Sequence, residues 1–374
     1  MDLKVKAQRI ENRRITMLLI PFVAVIGKFV QFFILPNKYF YDSRRMVSMM
    51  LGDNSLGWWS GYEDTINVFK KIDFFHFTTT EQWSIELGIV FTILFMIILT
   101  RVKEMSIPEC IFTLMAIGLM NIYVFNIAKE PIQMFFFICI TVIILLPLPI
   151  VVRLVGCALV FYWESNTFRE YYIMMAAMTI AIFFVLSWLR KRKRSANSYA
   201  VIAIIGCFIA MYVFMFASQF VDKQGYQDAL VVRDKYSNDD ATSVINNPIE
   251  VNGNYVNFVI DYTICAVRMM VPVELVLKSP VYAPFFVYQI FILIYLFRAL
   301  KNLNRLNDQL FLSLVCFMAY IYGSFVFEPD FGSWVRHEAA AFPVFYFLAY
   351  QDLAVEKEDE EKVPTEIIYE AKDF

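Results

Sequence analysis

The sequence predicts an all-α, polytopic transmembrane helical bundle, and three observations support this fold class. Hydrophobic residues make up 59% of the 374 residues and charged residues only 18%, which is too apolar for one soluble core. Several apolar runs approach the length of about 20 residues that a helix needs to cross a bilayer. The charged residues are gathered in short clusters between those runs. We therefore expect spanning helices rather than a closed barrel, in a single transmembrane domain over residues 1–350.

The apolar runs, taken in chain order, predict about ten spans. They are Ile15 to Leu35, Ile85 to Thr100, Glu109 to Asn126, Ile132 to Leu146, Ile150 to Trp163, Tyr171 to Leu189, Tyr199 to Gln219, Tyr282 to Phe297, Gln309 to Phe327 and His337 to Tyr350. The two short runs that flank Pro147 and Pro149 could equally form one broken or re-entrant helix. The segment Tyr255 to Leu277 is also apolar, but it carries Asp261 and Arg268, so we expect an amphipathic helix at the outer interface.

The positions of basic residues predict the orientation of the chain. Three basic clusters fall on one side of the membrane if the chain has about ten spans, and basic loops favour the cytoplasm. The clusters are Lys4 to Arg14, Arg190 to Arg194, and Arg298 to Arg305. Both termini, including an acidic tail at 351–374, are then expected in the cytoplasm. The insertions at 36–83 and 220–254 are expected to be extracytoplasmic loops.

Residues of opposite charge recur at helix ends on the predicted outer face. They are Asp42 and Arg44 after the first span, Lys129 and Glu130 between the third and fourth, Arg169 between the fifth and sixth, and Arg336 and His337 at the start of the last. Each cluster alone is as well explained by an ion pair or a snorkelling side chain at a helix end. Their coincidence on one face favours a shared polar cavity, because charges near lipid are costly. Solvation of a loop explains Glu328 and Asp330 equally well.

Missing motifs limit the chemistry of such a cavity. The chain has two histidines and no HExxH motif, and none of its six cysteines has a CxxC spacing, so a zinc site is disfavoured. Neither a serine-nucleophile motif nor a glycine-rich phosphate loop occurs, and no cofactor is implied. The remaining candidates for the chemistry of this cavity are arginine and carboxylate side chains. Arginine binds phosphate in a bidentate manner, and a carboxylate can deprotonate a sugar hydroxyl, which together suit glycosyl transfer from a polyprenyl carrier.

Short motifs along most of the chain resemble those of bacterial polysaccharide polymerases. They are an aspartate soon after the first span (Asp42), a KEP turn (129–131), an FRxYY-like turn (168–172), and a late arginine before a proline (Arg336 and Pro343). The resemblance implies a metal-independent membrane glycosyltransferase that joins repeat units of capsule, exopolysaccharide or O-antigen outside the bacterial cytoplasmic membrane. Its substrate would be a polyprenyl-diphosphate-linked glycan, and its neighbours in the bilayer would be other polysaccharide-assembly proteins.

The resemblance also implies roles for individual residues. Arg169 and Arg336 would bind the carrier pyrophosphate, and Asp42 or Glu130 would be the base or would orient the acceptor. Arg44, Lys129 and His337 are further candidates for substrate binding. Such polymerases often have one large outer loop late in the chain, whereas this chain has two moderate insertions.

Two other functions are compatible with the sequence. A transporter or flippase of a lipid-linked glycan or another solute would also place charges in a membrane bundle, but its halves commonly repeat, and no repeat is evident here. A scaffold or immunity protein without chemistry would tolerate substitution of Arg169 and Arg336. Aromatic residues in the first outer loop, Trp58, Trp59 and Tyr62, could stack on sugars, although an interfacial belt explains them better.

Overall fold

The computed structural model describes residues 3–53, 60–192, 195–236, 243–246 and 248–350, and within these ranges it contains helices and no β-strand. The all-helical prediction is therefore confirmed for the described residues, while the tail at 351–374 lies outside them. The α-helices are α1 (Leu3–Phe29), α2 (Tyr41–Met50), α3 (Ser60–Ile72), α4 (Thr80–Leu99), α5 (Ile107–Leu119), α6 (Glu130–Leu145), α7 (Ile150–Thr167), α8 (Tyr172–Arg190), α9 (Ala196–Val221), α10 (Lys223–Tyr236), α11 (Tyr255–Met270), α12 (Val273–Lys278), α13 (Ala283–Lys301), α14 (Asp308–Phe327), α15 (Phe331–Ala340) and α16 (Phe342–Ala349). Two π-helical turns, Val30–Ile34 and Met120–Val124, extend α1 and α5.

Seven helices in the described part of the chain are long and apolar enough to cross a bilayer, and the chain is a membrane protein. They are Leu3–Ile34, Thr80–Leu99, Ile107–Val124, Tyr172–Arg190, Ala196–Val221, Ala283–Lys301 and Asp308–Phe327. The predicted count of about ten is not confirmed, because three of the predicted spans are too short, too charged or interrupted to qualify by length and composition. Helix α6 has only 16 residues, α7 carries Arg153 and Glu164 among its 18 residues, and the final run is divided at Ala341 into α15 and α16.

The predicted loops and the predicted interfacial helix also contain local structure. The insertion at 36–83 includes α2 and α3, and the insertion at 220–254 includes α10. The segment expected at the outer interface forms α11 and α12. Its Asp261 is buried rather than exposed, and Arg233 Nη1 of α10 lies 2.9 Å from Asp261 Oδ2. Helix α11 thus directs its carboxylate into the protein, where a charge partner offsets the cost of burial.

Helix α14 forms the centre of the bundle. The most apolar stretch of α14 is 94% buried inside the protein, whereas the corresponding stretches of the other six candidate spans are 22–56% buried. Helices α6, α7, α8 and α16 pack around it. A helix that is apolar on every side is stable only when neighbours surround it. The packing of these neighbours against α14 therefore fixes the positions of their ends.

Polar residues at the helix starts explain where several helices begin. Thr79 forms a capping box with Gln82 at the start of α4, and Ser106 forms one with Glu109 at the start of α5. The Asn307 side chain accepts a hydrogen bond from the Leu310 amide at the start of α14. These side chains satisfy backbone donors that a helix start leaves unpaired, which matters most where water is scarce.

A partly buried lysine, Lys28, joins the first three candidate spans close to the KEP turn. The ammonium group of Lys28 donates to Ser84 Oγ of α4 at 2.8 Å and to the carbonyl oxygens of Asn121 and Phe125 at 2.7 and 2.6 Å. The π turn and the end of α5 leave these carbonyls without their usual helical partners. Lys28 therefore fixes the path of the chain immediately before Lys129.

Candidate functional site

Charged residues from five separate parts of the chain converge at one end of the bundle. We call them the charged cluster, which consists of Asp42 of α2, Lys129 and Glu130 at the start of α6, Arg169 between α7 and α8, Glu328 after α14, and Arg336 and His337 of α15. Six of the seven sequence-predicted site residues belong to it. The exception is Arg44, which is exposed and donates from Nη2 to the Asn37 carbonyl oxygen at 2.6 Å.

Turns at helix ends bring these side chains together. Lys129 precedes the first residue of α6, and Pro131 in the first turn favours a helix start there. The Phe168 amide donates to the Glu164 carbonyl oxygen at 2.8 Å, which ends α7 just before Arg169. The Asp330 carboxylate accepts from the Ser333 amide at 2.9 Å and so starts α15. Asp330, for which the sequence left both a site role and loop solvation open, thus has a structural role as a helix cap.

Arg336 lies between two carboxylates. Its Nε is 3.6 Å from Glu130 Oε1, its Nη1 is 3.8 Å from Asp42 Oδ2, and its Nη2 donates to Ser333 Oγ at 3.3 Å. Both carboxylate distances exceed the roughly 2.7–2.9 Å of a charge-assisted hydrogen bond. The guanidinium therefore attracts two carboxylates while it keeps donors for another acceptor. Its side chain is 22% exposed, so a ligand can approach it from solvent.

The hydrogen bonds of His337 assign its protonation state. Its Nδ1 is 2.7 Å from Glu328 Oε1, and its Nε2 is 2.7 Å from Arg169 Nη2. A guanidinium can only donate, so Nε2 must be the acceptor and Nδ1 must carry the proton that is donated to Glu328. Burial and then the positive charge of Arg169 lower the pKa of His337 well below its ordinary value. The ring is neutral, and its 3.7 Å approach to Glu130 is not an ion pair.

Two other neutral side chains besides His337 hold Arg169 in place. Its Nη1 donates to Tyr171 Oη at 2.8 Å and to Gln133 Oε1 at 3.3 Å. Gln133 is fully buried, and its Nε2 also donates to the His337 carbonyl oxygen at 3.3 Å. The sequence assigns no role to Gln133, and it places Tyr171 only within the FRxYY-like turn. The available signal was a lone amide in an apolar run, one turn after Glu130.

Tyr62 of α3 connects two members of the charged cluster. Its hydroxyl donates to Asp42 Oδ1 at 2.5 Å, and the Lys129 ammonium lies 4.3 Å from the centroid of its ring. The sequence suggested sugar stacking or an interfacial belt for Tyr62. In the structure, the Tyr62 hydroxyl instead orients Asp42. Its predicted companions, Trp58 and Trp59, lie outside the described residues.

The charged cluster has an outer and an inner layer. Asp42 and Arg336 are partly exposed, whereas Glu130 and Glu328 are only 1% and 3% exposed. Within the described residues, neither carboxylate oxygen of Glu130 accepts a hydrogen bond, and Glu328 Oε2 also accepts none. A buried carboxylate without donors is costly, on the order of a few kcal/mol for each unsatisfied group. Loop solvation, one of the two interpretations of Glu328 that the sequence left open, is wrong, because Glu328 is buried against His337.

The two kinds of carboxyl differ in charge state. Burial alone would raise the pKa of Asp42, but the charges of Lys129 and Arg336 and the Tyr62 hydroxyl together lower it. At Glu328, burial dominates and raises the pKa to about 7. Asp42 is therefore a stable anion, and Glu328 exchanges a proton near neutral pH. Burial also lowers the pKa of Lys129.

The arrangement combines anion binding with proton transfer. Arg169 and Arg336 offer guanidinium groups, and Glu130 offers an uncommitted carboxylate beside them. Throughout the described ranges, no group of three or more His, Cys, Asp or Glu side chains is placed to hold a metal ion. Such a site can bind a phosphorylated ligand and move a proton next to it.

Comparisons with known proteins return no match: no family model, no curated protein and no solved structure is similar to this chain. The resemblance to polysaccharide polymerases therefore depends on the short motifs alone.

Proposed function

We propose that the chain is a glycosyltransferase that polymerises polyprenyl-diphosphate-linked oligosaccharide repeat units on the outer face of the bacterial cytoplasmic membrane. The observation that carries the proposal is the position of Arg336, which lies between Asp42 and a buried Glu130 without hydrogen bonds to either. The proposal retains about ten membrane crossings, with α6, α7 and the α15–α16 pair as the remaining three, and cytoplasmic termini.

Arg336 and Arg169 would bind the pyrophosphate of the carrier. Arg336 has donors that its long carboxylate contacts leave available. The orientation of Arg169 is held by Gln133, Tyr171 and His337. Two guanidinium groups can stabilise the charge that develops on a departing diphosphate, so the reaction as proposed is metal-independent.

Glu130 is the better candidate for the base. In the proposed reaction, a sugar hydroxyl oxygen of the acceptor attacks the anomeric carbon of the donor, and the bond from that carbon to the phosphate oxygen breaks. Polyprenyl diphosphate leaves, and the hydroxyl proton passes to a carboxylate. Asp42 already accepts from Tyr62 and is held as an anion by its neighbours, whereas both oxygens of Glu130 are uncommitted.

The remaining members support those groups. Lys129 lies against Tyr62 and adds positive charge beside Asp42. His337, as a neutral ring, accepts from Arg169 and thereby holds the guanidinium in place. It is a positioning residue in this scheme.

Incubation of the purified protein with a lipid-linked repeat unit tests the proposal, with products separated by size. The wild-type chain should produce a ladder, and Arg336→Lys and Arg169→Lys should each abolish long products while single units stay on the carrier. Lysine keeps the charge but loses the bidentate geometry. Arg268→Lys is the matched control, because Arg268 makes a bidentate pair with Glu274 outside the charged cluster, at 2.8 and 3.1 Å.

Normal ladders in both cluster variants would overturn the assignment of phosphate binding. Movement of intact lipid-linked units across vesicles without any ladder, at equal rates in wild type and variants, would favour a flippase over a polymerase.

A further inference from the structure

A second group of charges lies at the opposite ends of the same helices. Arg153 is in the first turn of α7, Arg190 is the last residue of α8, and Asp308 is the first residue of α14. The other ends of these helices lead to Arg169 and Glu328 of the charged cluster. Arg153, Arg190 and Asp308, which we call the distal cluster, are therefore separated from the proposed active site by the length of the bundle.

A cavity of about 320 Å³ opens beside the distal cluster. Its polar wall consists of Arg153 and the start of α14 at residues 307–309, and its apolar wall is the segment 145–148 between α6 and α7. Leu145, Leu146 and Leu148 are 50%, 40% and 42% exposed, so they present hydrocarbon to the surroundings. One side of the cavity is therefore charged, and its edge is formed by exposed apolar side chains.

Arg153 is buried yet incompletely paired. It is 6% exposed, and its Nη1 donates to the Ile144 carbonyl oxygen at 2.9 Å. Its Nη2 is 3.6 Å from Asp308 Oδ2, beyond a charge-assisted hydrogen bond, and no group in the described residues accepts from its Nε. The Nε and Nη2 edge is the fork that binds carboxylate or phosphate side-on, and here it is largely unfilled.

The local charge favours an anion. Asp308 Oδ1 lies 3.6 Å from Arg190 Nη1, so one carboxylate faces two guanidinium groups and leaves one net positive charge. Arg190 also donates from Nη2 to the Leu306 carbonyl oxygen at 2.5 Å. The Asp308 side chain is 49% exposed and can turn toward solvent, although while it faces the cavity it repels an anion. The exposed Lys191 and Arg192 follow Arg190.

We propose that this cavity binds the phosphate group of an anionic membrane phospholipid. The phosphate oxygen completes the open edge of Arg153 as Asp308 turns aside, and the acyl chains lie along the leucine rim. A soluble phosphate has the same charge but gains nothing from the leucines, so the lipid is the expected source. Basic recesses between spanning helices are a recognised place for anionic headgroups.

Native mass spectrometry of the full chain, after exchange into mixed micelles, tests the proposal by counting retained lipids. Phosphatidylglycerol should be retained in preference to phosphatidylcholine, and Arg153→Gln should weaken that retention about tenfold, as expected for loss of one charged hydrogen-bonding group. Asp308→Asn should strengthen it, because a repulsive carboxylate is removed. Arg192→Gln, which removes a charge from the same end of α8 but does not line the cavity, should change it less than about twofold.

Three results would overturn the inference. They are equal retention of the two lipids, equal losses in Arg153→Gln and Arg192→Gln, and displacement of the lipid by millimolar inorganic phosphate, which would indicate a site for the free anion. If Arg153→Gln does not fold, the gain in Asp308→Asn still decides, because Asp308 is half-exposed at a helix start. None of these readouts depends on glycosyl transfer.

Discussion

The charged cluster and the distal cluster occupy opposite ends of α7, α8 and α14, and they differ in what their charges contact. In the distal cluster, backbone carbonyl oxygens of Ile144 and Leu306 accept from the two arginines, and the one carboxylate is half-exposed. In the charged cluster, side chains contact other side chains. There, Glu130 is almost completely buried and accepts no hydrogen bond within the described residues.

This difference separates binding from chemistry. Arginines that are anchored to carbonyl oxygens can hold an anion, but they provide no group that exchanges a proton near neutral pH. A buried carboxyl whose pKa is raised can do so. Glu328, with its pKa raised by burial to about 7, gives the charged cluster that capacity. The one carboxylate of the distal cluster, Asp308, is half-exposed rather than buried, so the two ends should respond differently to the loss of one charge.

The largest expected effect is that of Glu130→Gln. Replacement of the base by an amide of the same shape should reduce glycosyl transfer by a factor of about 100 or more, typical of losing a general base. Binding of the lipid-linked donor should change little, because Arg169 and Arg336 remain. Initial rates over a range of donor concentrations measure the two effects separately.

Glu338→Gln is the matched control for that experiment. Glu338 is a buried carboxyl on α15, adjacent to His337, and it accepts from Gln289 Nε2 at 3.1 Å rather than facing Arg336. An amide of the same shape can still accept the hydrogen bond from Gln289, so this substitution should disturb the fold little. A loss in Glu338→Gln as large as that in Glu130→Gln would contradict a specific role for Glu130.

A smaller, pH-dependent effect is expected for Glu328→Gln. Burial raises the pKa of Glu328 from 4.5 to about 7 in the folded state, so the folded protein binds this proton more tightly than the unfolded chain does. Folding is therefore penalised progressively as the pH rises from 4.5 to about 7, by on the order of 3 kcal/mol above that range. Glutamine cannot ionise and keeps an acceptor for His337 Nδ1.

The melting temperature of the purified protein in detergent, measured at pH 5 and pH 8, tests this expectation. Glu328→Gln should melt at a higher temperature than wild type at pH 8, and the difference should shrink at pH 5. A stabilisation of the same size at both pH values would show that ionisation of Glu328 is not its source.

The sequence predicted the helical class and most members of the charged cluster for one physical reason. Charges are rare in apolar runs, so Asp42, Glu130 and Arg336 stand out at the ends of spans. The sequence could not predict the partners of those charges, because Gln133 and Tyr171 are uncharged and their contacts depend on how α6, α8 and α15 pack.

Two further features could not be decided from the sequence for a related reason. Glu328 and Asp330 are charged residues beside a proline, which is typical of a solvated loop, and only the tertiary fold buries one and makes the other a helix cap. The number of spans was uncertain because α6 and the divided α15–α16 run are short, and length is the main signal for a crossing.

The smallest effect is expected for Arg44→Gln. This variant tests whether the positions of the residues in the charged cluster matter more than the total charge at that end of the molecule. Arg44 is on the same helix as Asp42, but its side chain is exposed and donates only to the Asn37 carbonyl oxygen in the contacts described for it. Exposed charges contribute at most about 1 kcal/mol, and salt screens them, so polymer length and rate should change less than about twofold. The same ladder assay with Arg336→Lys gives the contrast. If Arg44→Gln shortened the polymer as severely, Arg44 would contact the ligand in the bound state, and the charged cluster would have to include the exposed face of α2.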